Sequence, residues 1–477
     1  MDARRRPVLY VLLTVAIAIG IMFISCSKVD DGKRLVVTRV PASSFAAGEK
    51  GCVPSWEGAA LVVIRPEEHN TPEVLTKDFH SACSPHVSYD GTRILFSAKK
   101  EKDAPWEIWE MDLKNKKSRQ ITHCKESCHT PYYLPGGRLV FTREMPDTGT
   151  GSFLTLFTMT LDGKMLRQIT YHPNNDVIAT ILNDGRILML SSQVYPEKGK
   201  AKYLALRPNG TKMELFYKSP AGTRPGPRVH ETRDGMIRLT ERSAAGKWNI
   251  VRIRYNRSLH SAMNCTEKIP GDFYSVLPCD SGRLVVSYRK PGDATYGISI
   301  FSPAEKKVAS TLLSDGEYDY IDPVLLMPYE RPRNLPDELM CTYPTGLLMS
   351  QNINFTDEEG EKRLDGRKAK YIEILGMDKS LGWIPVEKDG SFFLKIPANL
   401  PFRLQTLDGN KKVLLGPSDW MWIRPFERRG CIGCHEDPEL APDNVVPMAV
   451  NYFPVVVPVD TTKELQRGET FHLGKMH

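Results

Sequence analysis

The chain has 477 residues, of which 41% are hydrophobic and 25% are charged. This composition excludes a disordered or collagen-like protein, and the length is sufficient for two or three domains. The formal net charge is +7, but the basic residues are interspersed with acidic ones, so composition gives no indication of nucleic-acid binding. Ten cysteines require an explanation.

Residues 1–26 have the features of an export signal. Three arginines precede an apolar run over residues 8–24, which is followed by Ser25 and Cys26. The end of this run resembles a lipobox, so we expect Cys26 to be lipidated, and a plain transmembrane anchor is the alternative. Either form places the protein in the bacterial cell envelope, on the periplasmic side of a membrane or at the outer surface. Disulfides and covalent haem are made in that compartment.

One pattern recurs through the first 330 residues: an Asp-Gly or Gly-Gly turn followed by a β-rich run. The turn glycines recur at intervals of 46 to 50 residues and are Gly91, Gly137, Gly185, Gly235 and Gly282. Short alternating strands with this period are typical of propeller blades, each of four antiparallel strands. A sixth blade can combine residues 59–64 with strands from 322–343. We therefore predict a six-bladed β-propeller over 51–340, preceded by a linker at 27–50. The repeats resemble those of TolB-type propellers.

The repeat stops after residue 340. Alternating runs at 386–397 and 402–409 read as hairpins and predict a small β-sandwich-like domain over 341–427. The fold class is therefore mainly β, with a six-bladed propeller followed by a sandwich-like domain.

A c-type haem attachment pattern, Cys431-x-x-Cys434-His435, lies in the last segment, residues 428–477. The two thiols bond to the vinyl groups of the porphyrin, and the adjacent imidazole reaches the iron. We expect Cys431 and Cys434 to attach one haem c and His435 to be its proximal iron ligand. Met448 is a candidate distal ligand, which would give a closed site suited to electron transfer. An open site would bind small ligands.

The stretch around this pattern resembles the middle domain of hydrazine synthase α-subunit-like proteins. The residues that carry the resemblance are Asp408, Trp420, Arg424, the run 427–436, and Ala441 with Pro442. It implies a six-bladed propeller followed by a β-rich haem domain. The enzyme subunit continues into another haem domain, and it has a tyrosine that can reach the iron where this chain has Glu439, which we expect to be solvated. Both departures argue against hydrazine synthesis by this chain.

Several side chains near the motif have candidate roles at the haem. We expect Trp420, Trp422 and Phe426 to pack against the porphyrin, with ordinary core packing as the alternative. Arg424, Arg428 and Arg429 could pair with the haem propionates, with a solvated surface position as the alternative.

A second hypothesis concerns the rim of the propeller. Cys83 and Cys128 each lie ten residues before a repeat arginine, where the TolB-type pattern has Asp, and Asp176 has the corresponding place in the next blade. His86 and His129 lie in the same region. Thiolate, imidazole and carboxylate are the ligands that zinc prefers, so these five residues are a candidate zinc site.

Two alternatives involve Cys124. It can form a disulfide with Cys128, or Cys124, Cys128 and His129 can attach a second haem with one extra spacer residue.

We predict an exported, membrane-anchored monohaem c-type cytochrome that transfers electrons to or from a redox partner protein or another cytochrome. The first alternative is a redox enzyme subunit acting on a small nitrogen compound at an open haem, as the resemblance implies. The second is a non-catalytic propeller that binds a component of the envelope. A propeller fold does not by itself separate these functions.

Overall fold

The computed structural model describes residues 34–49, 53, 55–66, 71–146, 153–232, 234–279, 282–356, 362, 364–433, 439 and 444–459. Cys26 and two residues of the haem motif, Cys434 and His435, lie outside the described residues. Within them the chain forms two β domains and one α-helix, α1 (Ala42–Glu49). No helix in this part of the chain is long and apolar enough to cross a membrane.

The N-terminal domain is built from four-stranded antiparallel blades, and a parallel pairing of Leu154 with Asn175 joins blades 2 and 3 into one eight-stranded sheet. The first described strands are the outer strands of blade 6, which are β1 (Leu35–Pro41), β2 (Ala60–Ile64) and β3 (Glu73–Val74). Blade 1 contains β4 (Ser81–Val87), β5 (Arg93–Lys99), β6 (Glu107–Asp112) and β7 (Ser118–Gln120). Blade 2 contains β8 (Cys128–Leu134), β9 (Arg138–Met145), β10 (Phe153–Thr160) and β11 (Arg167–Gln168).

Three further blades follow in chain order. Blade 3 contains β12 (Asn174–Ile181), β13 (Ile187–Gln193), β14 (Lys202–Leu206) and β15 (Glu214–Tyr217). Blade 4 contains β16 (Arg224–Glu231), β17 (Met236–Arg242), β18 (Trp248–Arg254) and β19 (Met263–Asn264). Blade 5 contains β20 (Asp272–Pro278), β21 (Leu284–Arg289), β22 (Gly297–Ser302) and β23 (Lys307–Leu313).

Blade 6 is completed by β24 (Tyr318–Leu325), which pairs antiparallel with β1. The ring is therefore closed by strands from both ends of the domain, which leaves no open edge between the first and last blades. The described residues thus form six blades, and the predicted six-bladed propeller is confirmed. Within the linker predicted over 27–50, the described residues 34–49 form β1 and α1, and Val36 and Val37 of β1 are fully buried in the blade.

The C-terminal domain is a sandwich of two four-stranded sheets. Its strands are β25 (Thr345–Ser350), β26 (Tyr371–Leu375), β27 (Ser380–Pro385), β28 (Phe392–Pro397), β29 (Arg403–Leu407), β30 (Val413–Leu415), β31 (Arg428–Cys431) and β32 (Val455–Val456). One sheet has the order β31-β25-β28-β32, the other β27-β26-β29-β30, and a shared apolar core lies between them. Because β31 and β32 come from the predicted haem segment, that segment is part of the sandwich and does not follow it as a separate unit.

The segment between the two domains, residues 326–344, crosses the repeated turns of blades 1 to 3. A methyl group on Gly91 would lie 2.7 Å from the backbone of Met327, and one on Gly185 would overlap the carbonyl oxygen of Arg333. The Tyr329 hydroxyl donates a hydrogen bond to the carbonyl of Val87 at 2.8 Å. Gly91 and Gly185 thus serve two purposes, since they adopt positive φ and they let this segment pass close to the blades.

We therefore expect Gly185→Ala to lower the free energy of unfolding more than Gly137→Ala does. Both glycines have positive φ, at +91° and +72°, but a methyl group on Gly137 would have no atom within 4 Å. The Gly137 variant should lose only the backbone term of about 1–2 kcal/mol. The Gly185 variant should lose about 1–3 kcal/mol more, because residues 326–344 must move. Urea unfolding of the two variants measures the difference, and equal losses would contradict the close approach.

Candidate functional site

The haem motif begins at the edge of the sandwich. Cys431 is the last residue of the edge strand β31 and lies opposite Ser350 of β25. Its carbonyl accepts the N–H of Gln351 at 2.9 Å, and the Gln351 side chain donates to the carbonyl of Val445 at 3.3 Å. The Cys431 side chain is partly exposed. The first attachment cysteine therefore lies at one edge of the sandwich, packs against its core, and is linked through Gln351 to Val445.

Exposed apolar side chains, which we call the apolar strip, follow directly in these residues. They are between 36% and 77% exposed and are Val445, Val446, Met448, Val450, Phe453 and Val456. The N–H of Met448 donates to Asp389 at 2.7 Å and that of Ala449 to Ser391 at 3.0 Å, which holds the strip against the sandwich. A group of apolar side chains this exposed typically marks a binding surface. A partly exposed cysteine and exposed apolar side chains on one sheet are compatible with a bound porphyrin.

Two carboxylates on either side of the motif bind turns of the propeller. Glu427 is buried and accepts the N–H of Lys212 in blade 3 at 2.8 Å, together with a 2.9 Å ion pair from Arg429. Glu439 accepts the N–H of Leu259 in blade 4 at 2.7 Å, and its side chain is only 17% exposed. The solvated Glu439 expected from the sequence is therefore replaced by an anchored one. The two contacts fix the haem segment relative to the propeller.

The tryptophans that precede the motif join the two domains. Trp422 is fully buried in the apolar core between blades 2 and 3, and its Nε1–H donates to the carbonyl of Gly210 at 3.1 Å. The Nε1–H of Trp420 donates to the carbonyl of Tyr195 at 2.7 Å. Both indoles are thus held by the propeller, and the alternative of core packing applies to them rather than contact with a porphyrin.

The three arginines have different surroundings. Arg424 is buried, donates to the carbonyl of Asn209 at 3.0 Å, and lies 4.7 Å from the ring centre of Tyr171. Arg429 is engaged by the buried Glu427. Arg428 alone of the three is exposed, so it is the one that remains a candidate partner of a propionate.

The five residues of the candidate rim zinc site do not meet in the structure. Cys83 packs in an apolar cluster with Trp56 and Trp106, and His86 packs against Tyr132. Asp176 pairs with a histidine at the domain junction, and Cys128 lies between blades 1 and 2. His129 lies 3.3 Å from Glu144. Among the described residues, one group of three possible ligands has its ligand atoms within 4.8 Å of one another, and it contains only Cys128 of the five.

Strand register explains this difference. Cys83 is paired with Ser97, four residues after its repeat arginine, whereas Cys128 is paired with Arg143 and Asp176 with Ser191, each five residues after theirs. Successive side chains of a strand point to opposite faces of the sheet, so an offset of one residue places Cys83 and Cys128 in different apolar clusters. Counting along the sequence does not detect the irregular pairing that produces the offset.

The channel contains a buried polar cluster that the sequence analysis did not identify. The Arg228 guanidinium lies 3.5 Å from the Asp322 carboxylate and donates to the Tyr132 hydroxyl at 3.0 Å. The His86 ring lies 4.3 Å from that of Tyr132. A small cavity of about 10 Å³ adjoins the cluster and is lined in part by His230. Burial, with Arg228 nearby, lowers the pKa of His86 to about 3 and that of His230 to about 4.

Asp176 is part of a buried pair. Its two carboxylate oxygens lie 2.9 and 2.8 Å from Nε2 of His172, and it accepts the Ser191 hydroxyl at 2.6 Å. The His172 ring lies 4.8 Å from Trp422 in an edge-on arrangement. The pair supports the junction between the domains.

Cys128 is adjacent to Cys124 and to a residue that the sequence analysis missed, Glu107. Both cysteines are free thiols in the structure. A hydrogen bond from the Cys128 thiol lowers the pKa of Cys124 to about 7 and raises that of Cys128. Cys128 and His129 are fully buried on opposite faces of β8, so a haem bonded to Cys128 would have to displace the core between the blades. The structure gives no support to a second haem here.

The sequence contained a pattern from which Glu107 could have been identified as a buried carboxylate. Glu107 is a charged residue at the start of a strand pattern whose neighbouring positions are apolar, and a carboxylate at such a position is unusual unless it has a partner.

Both domains are similar to parts of known proteins. Residues 349–436 match the family described as hydrazine synthase alpha subunit middle domain. The chain is 21% identical to hydrazine synthase subunit alpha of Kuenenia stuttgartiensis over 80% of its length, and it spans 62% of that protein. It superposes on the solved structure of Kuenenia stuttgartiensis hydrazine synthase with a TM-score of 0.76 at 17% identity, over 88% of this chain and 72% of that one.

TolB from Acinetobacter baumannii is a further structural neighbour, with a TM-score of 0.45 at 14% identity, over 62% of this chain and 66% of that one. The expected resemblance to hydrazine synthase α-like proteins is confirmed.

The anchoring role of Glu427 predicts that Glu427→Ala destabilises the protein by about 3 kcal/mol or more. The loss leaves the buried Arg429 guanidinium and two backbone N–H groups without their acceptor. Glu373→Ala is the matched control, because Glu373 is a partly exposed carboxylate in the same domain that accepts from Ser380 and Gln405. It should lose no more than about 1.5 kcal/mol. Urea unfolding followed by tryptophan fluorescence compares them, and similar losses would contradict the anchoring role.

The channel histidines predict that stability decreases as the pH falls below about 6.5. Their pKa values are lower in the folded chain than in the unfolded one, so the unfolded chain binds more protons over the range from about 6.5 to 4. Each histidine should change the free energy of unfolding by less than about 1.4 kcal/mol per pH unit, because both rings are only partly buried. The double variant His86→Gln, His230→Gln should flatten the dependence, and His260→Gln, at an exposed position, should leave it unchanged. An unaltered slope in the double variant would contradict this account.

Proposed function

We propose that the chain is an exported monohaem c-type cytochrome of the hydrazine synthase α type, anchored to a membrane through Cys26, which exchanges electrons with a partner protein. The observation that carries this proposal is the position of Cys431. It ends the edge strand β31, is partly exposed, and is linked through Gln351 to Val445 at the start of the apolar strip. The match of residues 349–436 to the hydrazine synthase α middle domain covers the complete attachment pattern.

The residues around the motif have separable roles in this proposal. Cys431 and Cys434 hold the haem, and His435 is its proximal ligand. When bound, haem c supplies a one-electron couple that the polypeptide lacks. The apolar strip excludes water from one side of the site, which is a means of adjusting the potential of the couple.

The propeller serves as the frame of the site. Glu427 and Glu439 connect the haem segment to adjacent blades, so the site is held in one orientation with its edge toward solvent. The relative from Kuenenia stuttgartiensis is a subunit by name, which supports an assembly with other proteins, and electron transfer requires such a partner.

A second candidate function is a redox enzyme subunit that acts on a small nitrogen compound at an open haem. The similarity to hydrazine synthase subunit alpha over 80% of the chain favours it. The two candidates differ in the sixth position of the iron: Met448 closes the site for electron transfer, whereas an open position binds a substrate.

The first experiment tests covalent haem attachment. The chain is expressed together with a cytochrome c maturation system, and intact mass counts the haems. We expect one haem in the wild type and in Cys341→Ser, a variant at an exposed cysteine. Cys434→Ser should lose the second thioether bond, and His435→Ala should lose the spectrum of the low-spin iron. Absence of haem from the wild type would overturn both candidate functions and leave the non-catalytic propeller.

The second experiment separates the two candidates. Visible spectra of the reduced protein are recorded with and without carbon monoxide. An unchanged spectrum supports electron transfer at a closed site, and Met448→Ala should then make the iron accessible to the gas, while Met340→Ala, at another exposed methionine, should not. A shifted spectrum in the wild type would overturn the closed site and favour the enzyme subunit.

A further inference from the structure

Three ligand-type side chains meet where blade 1 passes into blade 2. Glu107 is in β6, Cys128 is the first residue of β8, and Cys124 lies in the connection between β7 and β8. One ligand atom of each lies within 4.8 Å of the others. Glu107 is 7% exposed and Cys128 is fully buried, whereas Cys124 is partly exposed. The group therefore has one side open to solvent, through which an ion can enter.

The backbone holds these side chains in place. One Glu107 oxygen accepts the N–H of Cys124 at 2.7 Å, and the other accepts the hydroxyl of Thr122. The Cys128 thiol lies 3.7 Å from the carbonyl of Glu126. Because hydrogen bonds hold both ends of the connection to the blade, little conformational entropy is lost when a ligand binds.

The charge of the group is unbalanced. Within the described residues Glu107 makes no ion pair with a Lys, Arg or His within 4.0 Å, although it is nine-tenths buried, and burial raises its pKa. The nearest guanidinium, that of Arg143, is already paired with Glu126. Buried carboxylates without a cationic partner are rare, because desolvation of the charge is costly. A divalent cation would supply the missing positive charge.

We propose that Glu107, Cys124 and Cys128 bind a zinc-class divalent cation, with water as the fourth ligand. Tetrahedral zinc with sulfur at about 2.3 Å and oxygen at about 2.0–2.2 Å has its ligands about 3.5–3.8 Å apart, so the observed separation closes by a movement of about 1 Å. Two thiolates select zinc over calcium or magnesium, which bind oxygen ligands. The site is distinct from the five-residue rim set suggested by the sequence, with which it shares only Cys128.

The test uses the full haem-loaded chain, in which the cysteines and histidine of the attachment pattern are already occupied. The protein is reduced, dialysed against zinc, and its metal content is measured by elemental analysis. We expect one zinc per chain in the wild type. Cobalt in place of zinc should give a thiolate-to-metal charge-transfer band, recorded as a difference spectrum.

Variants then assign the ligands. Cys124→Ser and Cys128→Ser should each lower the zinc affinity by about a hundredfold and remove most of the charge-transfer band. Glu107→Gln should weaken zinc binding and keep the band, because both thiolates remain. Cys265→Ser, at another partly buried thiol, should bind as the wild type does. If the buried Cys128→Ser variant fails to fold, Cys124→Ser and Glu107→Gln still decide the assignment.

Two outcomes would overturn the proposal. One is unchanged zinc content in Cys124→Ser and Glu107→Gln. The other is a Cys124–Cys128 disulfide, found by peptide mass in protein isolated from an oxidising compartment and accompanied by the absence of zinc, since the ligands would then be consumed. Neither outcome depends on the redox role proposed for the haem.

Discussion

The insertion of Trp422 between blades 2 and 3 is the contact on which the arrangement of the two domains depends. The indole packs in the apolar core between the blades, and its N–H donates a hydrogen bond to the carbonyl of Gly210. Burial of the side chain therefore leaves no hydrogen-bond donor unpaired. Five residues later, Glu427 binds the backbone of Lys212, and β31 with the first haem cysteine begins at the next residue. The docking segment and the haem segment are therefore continuous, and the propeller is part of the frame of the haem site.

Local signals predicted the fold well. The turns at Gly91, Gly137 and Gly185 require positive φ and are followed by β-rich runs, so each blade is encoded within a short window. Strand β1 has no such turn, and its partner β24 follows almost the whole propeller in the sequence, which is why the first strand of the domain was assigned to a linker. Long-range pairing of this kind closes the ring but leaves no periodic pattern.

The candidate sites were less predictable, for reasons that differ between residues. An offset of one residue in register separated Cys83 from Cys128, and such an irregularity depends on both strands of a pair. The segment that contains Trp420, Trp422 and Arg424 has the composition of a cofactor pocket. An interdomain contact has the same composition, because it also needs flat apolar groups and a planar cation. Sequence composition identifies such residues but does not distinguish their partner. The Cys-x-x-Cys-His spacing of residues 431–435 is more specific, because it predicts covalent haem attachment from one short segment.

The role of Glu439 bears on the chemistry of the site. The related enzyme subunit is expected to have a tyrosine there that reaches the iron, whereas the carboxylate of this chain is engaged by the N–H of Leu259 and lies 3.7 Å from Arg257. A carboxylate held by a backbone donor and a guanidinium would have to give up both to become an iron ligand, at a cost of several kcal/mol. We therefore expect that Glu439 is not an iron ligand, and Met448 is then the candidate distal ligand of a bound haem. If Met448 supplied that ligand, the site would have a thioether in place of an anionic oxygen, and a thioether ligand would favour electron transfer over activation of a substrate.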